Sequence, residues 1–334
     1  MSSASDSLFE QSAPVTVIGT LLGSSQAMQD VFRLIERVGP TEASVLLTGE
    51  SGSGKELAAR SIHESSPRRG GPFISINCGA IPAGLIEAEL FGYEKGSFTG
   101  AARAHAGVFE RAAGGTLLLD EVTEMPLDMQ TRLLRVLESR KFYRVGASTE
   151  LTSDFRVIAA TNRCPLQAVQ SGQLREDLLY RLAVFPVAMP PLRNRGADVE
   201  LLAEHFLAEL NSQGRTQKRF SAVARMMMRQ HTWPGNVREL KNCIERAFIL
   251  GDTVLELAPL IPGAARDSDQ VSDDKRLNIR VGSRIYDMER SLIEATLDYF
   301  KGNKRRAADA LGCSLKTLYN KLNGYSQSQE CANT

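Results

Sequence analysis

The sequence has no C-x-x-C pair, no clustered histidines, no long apolar run and almost no net charge, and each shortage closes a route. Its five cysteines (Cys78, Cys164, Cys243, Cys313, Cys331) are scattered over 334 residues. That spacing argues against a disulfide framework or a zinc site and fits a reducing cytosol. The four histidines (His63, His105, His205, His231) are equally dispersed, which favours surface or core roles over metal ligation. No apolar stretch approaches the roughly 18 residues of a membrane helix. The N-terminus carries Asp6 and Glu10 and lacks the basic region of a secretory leader, so a cytoplasmic protein is expected. Forty basic residues nearly balance thirty-nine acidic ones, and any nucleic-acid affinity must come from a local patch.

What is present is a phosphate loop in its proper setting. Val45-Leu46-Leu47-Thr48 reads as a buried strand, Gly49-Glu50-Ser51-Gly52-Ser53-Gly54-Lys55-Glu56 as the loop, and Leu57 to Ile62 as a helix. Glycines let backbone N–H groups turn around an anion, the helix N-terminus adds partial positive charge, and Lys55 adds a full one. Glu56 stands where a Ser or Thr ordinarily reaches magnesium.

Further strands are predicted at Pro72–Asn77, Thr116–Leu119, Phe155–Ala160 and Val184–Met189, with helices between them. Ser24 or Ser25 starts one helix, which ends at Gly39-Pro40, and Pro126 starts another. This alternation indicates a parallel α/β sheet with its ligand at the strand C-termini. Asp120 and Glu121 end one strand there. Asp120 is placed to hold magnesium through its water shell, with Glu56 as a second metal-side candidate, and Glu121 to activate the attacking water. Asn162 ends the next strand and can position that water or sense the γ-phosphate. Asn77 is placed to hydrogen-bond Glu121 and hold it idle.

From Asp198 the pattern turns helical, with Val199, Leu202, Phe206 and Leu210 in one stripe. After Trp233-Pro234-Gly235, Asn236 is predicted to cap a helix, with Glu239 completing a capping box. The expected organisation is a flexible lead over 1–20, an ATPase domain over 21–251 with a helical lid from about 192, a linker over 252–281, a DNA-binding module over 282–325 and a tail over 326–334. In that module Ile285, Met288, Leu292, Thr296 and Tyr299 share one helix face. A second helix stops at Gly312, and Ser314 caps a third. Between 300 and 323 six basic residues (Lys301, Lys304, Arg305, Arg306, Lys316, Lys321) face one acid, Asp309, as a helix-turn-helix requires.

The segments GESGSGKE, ELFGYEKGSFTGA, GGTLLLDE, IAATNR, LREDLLYRL and WPGNVRELKN, in this order, resemble the AAA+ ATPase domain of bacterial enhancer-binding proteins, the NtrC-type activators of sigma-54 RNA polymerase. Glu56 is the usual residue after the lysine in that family. KRRAADALGCSLKTLYNKL resembles the Fis-type helix-turn-helix attached to them. The resemblance implies a P-loop ATPase with ATP and Mg2+ bound between subunits of a ring, normally a hexamer built from dimers. It assigns the stretch Ala112-Ala113-Gly114-Gly115-Thr116-Leu117-Leu118-Leu119-Asp120-Glu121 to the nucleotide site. Arg175 and Arg181 match arginine fingers, and Arg238 the sensor II arginine. Gly96-Ser97-Phe98-Thr99-Gly100-Ala101 matches the loop that contacts sigma-54, with Ser97 where Ala is commonest. Lys304, Arg305, Arg306, Ser314, Lys316, Thr317, Tyr319, Asn320 and Lys321 are the residues expected to face DNA. The implied partners are sigma-54 holoenzyme, enhancer duplex and other copies of the chain. About 20 residues before the ATPase leave no room for a sensor domain, which implies control by a separate protein or by expression level. The rival readings are a regulator of ordinary promoters that uses the fold only to assemble, and a general AAA+ chaperone.

Overall fold

The computed structural model describes residues 16–257 and, beyond them, parts of the segment 289–321. The chain divides into two compact units, Met1–Leu260 and Ile261–Thr334, and each is taken by itself. The first opens with an antiparallel hairpin, β1 (Thr16–Ile18) and β2 (Leu21–Gly23). β1 therefore falls within the lead expected over 1–20. Ser25 caps α1 (Gln26–Val38) by accepting from the Met28 amide, and Met28, Val31, Phe32, Ile35 and Val38 form its buried stripe.

β3 (Val45–Thr48) leads through the glycine-rich loop into α2 (Lys55–Glu64). There follow β4 (Phe73–Asn77), α3 (Ile86–Phe91), a hairpin of β5 (Gly92–Tyr93) with β6 (His105–Ala106), and α4 (Val108–Arg111). β7 (Thr116–Asp120) and α5 (Leu127–Ser139) come next. A third hairpin, β8 (Lys141–Tyr143) with β9 (Glu150–Thr152), precedes β10 (Arg156–Thr161). Then come α6 (Pro165–Gln170), α7 (Glu176–Leu182) and β11 (Phe185–Ala188).

Five strands make one parallel sheet in the order β11-β3-β10-β7-β4. Alternate side chains feed two cores: Leu46, Leu117, Leu119 and Val157 pack with α3, α4, α5 and α7, while Val45, Leu47, Leu118 and Ile158 pack with α1 and α2. Strands covered on both faces need near-continuous apolar runs, and the central strands β3, β7 and β10 have them, while the edge strands β4 and β11 keep exposed positions. Arg156 is the exception. It is 1% exposed, and its guanidinium donates to the carbonyls of Gly39 and Val38 at 2.8 Å and of Ala43 at 3.2 Å. It thereby satisfies carbonyls that the end of α1 leaves without helical partners.

The helical subdomain holds α8 (Asp198–Gly214), β12 (Arg219–Phe220), α9 (Ala222–Gln230), α10 (Asn236–Leu250) and β13 (Val254–Leu255). Its core gathers Leu202, Leu207, Phe220, Met228, Trp233, Leu240 and Ile244. β13 pairs with β12, and Leu257 is buried in the same core. The subdomain thus continues past 251, into residues expected to be linker; the rest of that span lies outside the described residues. Asn236 does not cap α10. Gly235 occupies that position with no side-chain cap, although its N–H donates to Glu239 Oε2 at 2.8 Å. Asn236 itself has φ 54 and turns its side chain elsewhere.

In the second unit Ile293, Ala307, Ala308 and Leu318 are buried, with Leu297, Phe300 and Leu311 packed against them. The helix Lys304–Ala310 stops before Gly312, whose φ of 65 suits glycine. The inward face of the preceding helical stretch carries Ile293 and Leu297, while Leu292 is exposed. Leu292 and half-buried Thr296, two residues of the predicted shared face, are thus not among the residues of this core. Ile285, Met288 and Tyr299 lie outside the described residues.

Candidate active site

The C-terminal ends of β3, β4, β7 and β10 form one edge, and the predicted residues meet there. Gly52 has φ 75, and a Cβ on it would lie 2.4 Å from the Gly235 carbonyl oxygen. Only glycine fits the loop at that point. Gly54, at φ 102, precedes the first residue of α2. Lys55, 7% exposed, folds its side chain back into the loop and donates to the carbonyls of Gly49 at 2.8 Å and Glu50 at 3.3 Å. Its ammonium lies 3.8 Å from Glu121 Oε1. Burial pushes the Lys55 pKa below its ordinary value, and the Glu121 and Asp120 carboxylates oppose that shift.

Asp120 accepts from Asn77 Nδ2 at 3.0 Å and from the Glu121 amide at 3.1 Å. Glu121 stands in the left-handed region at φ 52 and accepts from the Asn162 backbone amide at 3.0 Å. Lys55, Glu121 and the Asn162 backbone are therefore linked in sequence. Asn77, expected on Glu121, bonds Asp120 instead; β4 and β7 pair in register, with Asn77 opposite Asp120. Of the stretch 112–121, only Asp120 and Glu121 reach the loop. Ala112, Ala113, Gly114, Gly115 and Thr116 belong to the opposite end of β7, where Thr116 N–H donates to the Pro72 carbonyl. Leu117, Leu118 and Leu119 are wholly buried in the two cores.

Ser53 Oγ is buried without a hydrogen-bond partner, and Glu56 is exposed at the first turn of α2. Carboxylate oxygens such as those of Asp120 at the strand end are the hard donors that suit magnesium.

The lid grips this loop through Arg238, matched above to the sensor II arginine, and through Arg193, Val237 and Arg195, which the sequence reading did not assign to it. Arg193 forks onto the Glu50 carboxylate at 2.8 and 2.5 Å, and Arg238 donates to Ser51 Oγ at 2.9 Å. Val237 N–H donates to the Gly52 carbonyl at 3.0 Å, and buried Arg195 donates to the Ser53 carbonyl at 2.5 Å. Arg193 and Asn236 hold the Glu50 carboxyl down to about 2. Burial pushes Arg195 down to about 10, with Asp198 opposing. Asp198, fully buried, accepts from the backbone amides and hydroxyls of Ser24 and Ser25 at 2.6 to 2.9 Å. The lid is thus tied to the start of α1 as well as to the loop.

Arg175 and Arg181 are not brought to this site. Arg175 pairs with Asp177 at 2.6 Å, and Arg181 donates to the Leu137 carbonyl at 3.0 Å. The segment Gly96–Ala101 lies between β5 and β6, closed by Gly96 N–H to the Ala101 carbonyl at 2.8 Å. Phe98 is 41% exposed and meets Tyr93 edge-on at 5.0 Å. The β8–β9 hairpin, missed in the sequence, braces the base: Arg144 bonds both Glu94 and Glu110, and Glu94 N–H donates to the Val145 carbonyl. In the second unit Lys304, Arg306, Lys316 and Thr317 are exposed, while Lys321 pairs with Glu289. The Arg305 side chain, Ser314, Tyr319 and Asn320 lie outside the described residues.

The family model for the Sigma-54 interaction domain matches residues 21–188, that for the AAA+ ATPase lid domain 193–276, and that for the bacterial regulatory protein, Fis family, 285–325. Transcriptional regulatory protein FlbD of Caulobacter vibrioides is 46% identical over 313 residues, spanning 90% of this chain and 69% of that protein. DNA-binding transcriptional regulator NtrC of Rhizobium meliloti is 42% identical over 332 residues, with coverage of 90% and 69%. The crystal structure of NtrX from Brucella abortus in complex with ATP superposes with a TM-score of 0.68 at 35% identity, over 92% of this chain and 69% of that one.

Proposed function

The chain belongs to the sigma-54 activator family, with an AAA+ ATPase core, its lid and a Fis-type DNA-binding module, and we propose that it uses ATP hydrolysis to remodel a sigma-54 promoter complex from closed to open. The observation that carries this is the linked set Lys55–Glu121–Asn162 beside Asp120 at the mouth of a phosphate loop. Lys55 pairs with the phosphates once it leaves the Gly49 and Glu50 carbonyls. Glu121 takes a proton from the attacking water, and its backbone strain and its bond to Asn162 fix its direction. Magnesium bound with the nucleotide would neutralise phosphate charge, held on the protein side by Asp120 through its water shell, with Glu56 as the second candidate. Arg238, already on Ser51 of the loop, closes the lid side of the triphosphate.

Arg175 and Arg181 act on the neighbouring subunit's nucleotide, which makes the ring the catalytic unit. Gly96–Ala101 carries the output. Its two glycines at φ 82 and 111, with open space around both, allow the segment to swing, and exposed Phe98 and Thr99 provide the contact with sigma-54. The basic face of the second unit docks on enhancer DNA through phosphates and groove edges. The experiment that tests this is Thr99→Ala: ATP turnover stays near wild type while activation at a sigma-54 promoter is lost. Retention of both activities assigns the contact elsewhere and favours a regulator that uses the fold only to assemble.

A further inference from the structure

Asn236 is fully buried at the junction of the lid with the phosphate loop, at φ 54. Asparagine tolerates that conformation better than most residues. Its turn is fixed in the lid from the other side: Trp233, 3% exposed, donates its indole N–H to the Met228 carbonyl at 3.0 Å, and Asn236 N–H donates to the Trp233 carbonyl at 2.8 Å. The side-chain amide has one possible orientation. Its Oδ1 accepts from the Leu192 N–H at 2.7 Å, a donor that can face only an acceptor. Its Nδ2 is therefore turned to the Glu50 carboxylate and the Ser51 carbonyl, both at 3.1 Å.

We infer that Asn236 is a positioning residue that couples occupancy of the phosphate loop to the lid. It acts by reading the Glu50 carboxylate and the Ser51 carbonyl from a rigid turn. The Glu50 carbonyl accepts from Lys55 at 3.3 Å and from the Ser53 N–H at 3.2 Å, so a phosphate that draws the ammonium away removes one of its two donors and loosens the Glu50 peptide. The side chain of the same residue is held by Asn236 and Arg193. Movement of that peptide is thereby delivered to the lid at half-buried hydrogen bonds whose lid partner, Asn236, is itself fully buried, so that a mismatch is costly there. The inference rests on the ATPase reading for its purpose but is measured by binding alone.

Asn236→Asp is the sharpest probe. It keeps the acceptor for Leu192 and tolerance of positive φ, but turns a carboxylate oxygen onto the Glu50 carboxylate and the Ser51 carbonyl. Titration of a fluorescent ATP analogue against the full chain should show affinity reduced about tenfold or more. Adding Glu50→Gln, which supplies an amide donor to the new carboxylate, should bring affinity within about threefold of the Glu50→Gln single variant. A purely structural role for Asn236 would not be rescued in this way. Unchanged affinity in Asn236→Asp, or a loss that Glu50→Gln leaves in place, overturns the inference. Should Asn236→Asp fail to fold by circular dichroism, Asn236→Gly keeps the backbone and deletes the amide. Affinity at least threefold weaker than wild type then supports the coupling, and a smaller change rejects it. Failure of the wild-type chain to hydrolyse ATP would count against the ATPase reading and leave these binding results standing.

Discussion

Arg181→Ala separates a shared active site from a self-contained one, because the two accounts predict losses of very different size. Within its own protomer Arg181 is exposed and makes one hydrogen bond, to the Leu137 carbonyl at 3.0 Å. Such a bond contributes about 0.5–1.5 kcal/mol to stability, so the melting temperature should fall by a few degrees at most. As an arginine finger it contributes a factor of roughly 10³–10⁵ in turnover, which is about 4–7 kcal/mol of barrier. The expected result is a folded protein that binds nucleotide and hydrolyses it at least 10³-fold more slowly, on the order of the finger's worth. Mixing then decides the direction of the contact. Lys55→Ala has no working phosphate site but an intact finger; Arg181→Ala has the converse. Equal parts of two inactive variants should recover about a quarter of wild-type turnover, since half the subunits have a working site and half of those a competent neighbour. A phosphate-release assay that finds no recovery in mixed rings, or near-normal turnover in Arg181→Ala alone, refutes the reasoning.

Arg156→Met should destabilise the first unit by about 2–4 kcal/mol, read by urea melting, because it removes the guanidinium from the Gly39 and Ala43 carbonyls and leaves the Val38 carbonyl to Thr41 alone. A change within about 0.5 kcal/mol would show that water replaces the guanidinium. Burial, together with Asp120 and Glu121, pushes the Cys78 thiol up to about 12. The thiol should therefore stay protonated and unreactive through pH 8, while exposed Cys164 is alkylated first; peptide mass mapping that finds Cys78 labelled as fast would contradict this. DNA binding should weaken linearly in log–log form with added salt, and Lys316→Ala should reduce that slope by about 1 if its exposed ammonium meets a phosphate.

The chemistry of the strand ends was readable because it is local. An apolar run followed by glycines and a lysine, or by two acids, fixes where those groups go once the sheet is parallel. What joins the lid to the loop was not readable in the same way. Arg193 and Arg195 reach Glu50 and Ser53 across more than 140 residues of chain, and nothing in their own neighbourhoods announces it. Asn236 shows the conflict most clearly. An Asn three residues before a Glu looks like a helix cap, yet the tertiary demand of the loop holds its side chain, and Gly235 occupies the cap. Asn77 was correctly placed at the sheet edge, but strand register decided that its partner is Asp120. The hairpins β1–β2, β5–β6 and β8–β9 are too short for alternation to declare them, so the brace of Arg144 beneath the Gly96–Ala101 loop was invisible.

The central claim is that hydrolysis, not binding alone, drives the output. The most direct measurement is strand opening at a sigma-54 promoter by holoenzyme and the purified chain, followed with a probe for unpaired bases. Opening should appear with ATP and be absent with a non-hydrolysable analogue and with Glu121→Gln. Equal opening in all three would contradict the account.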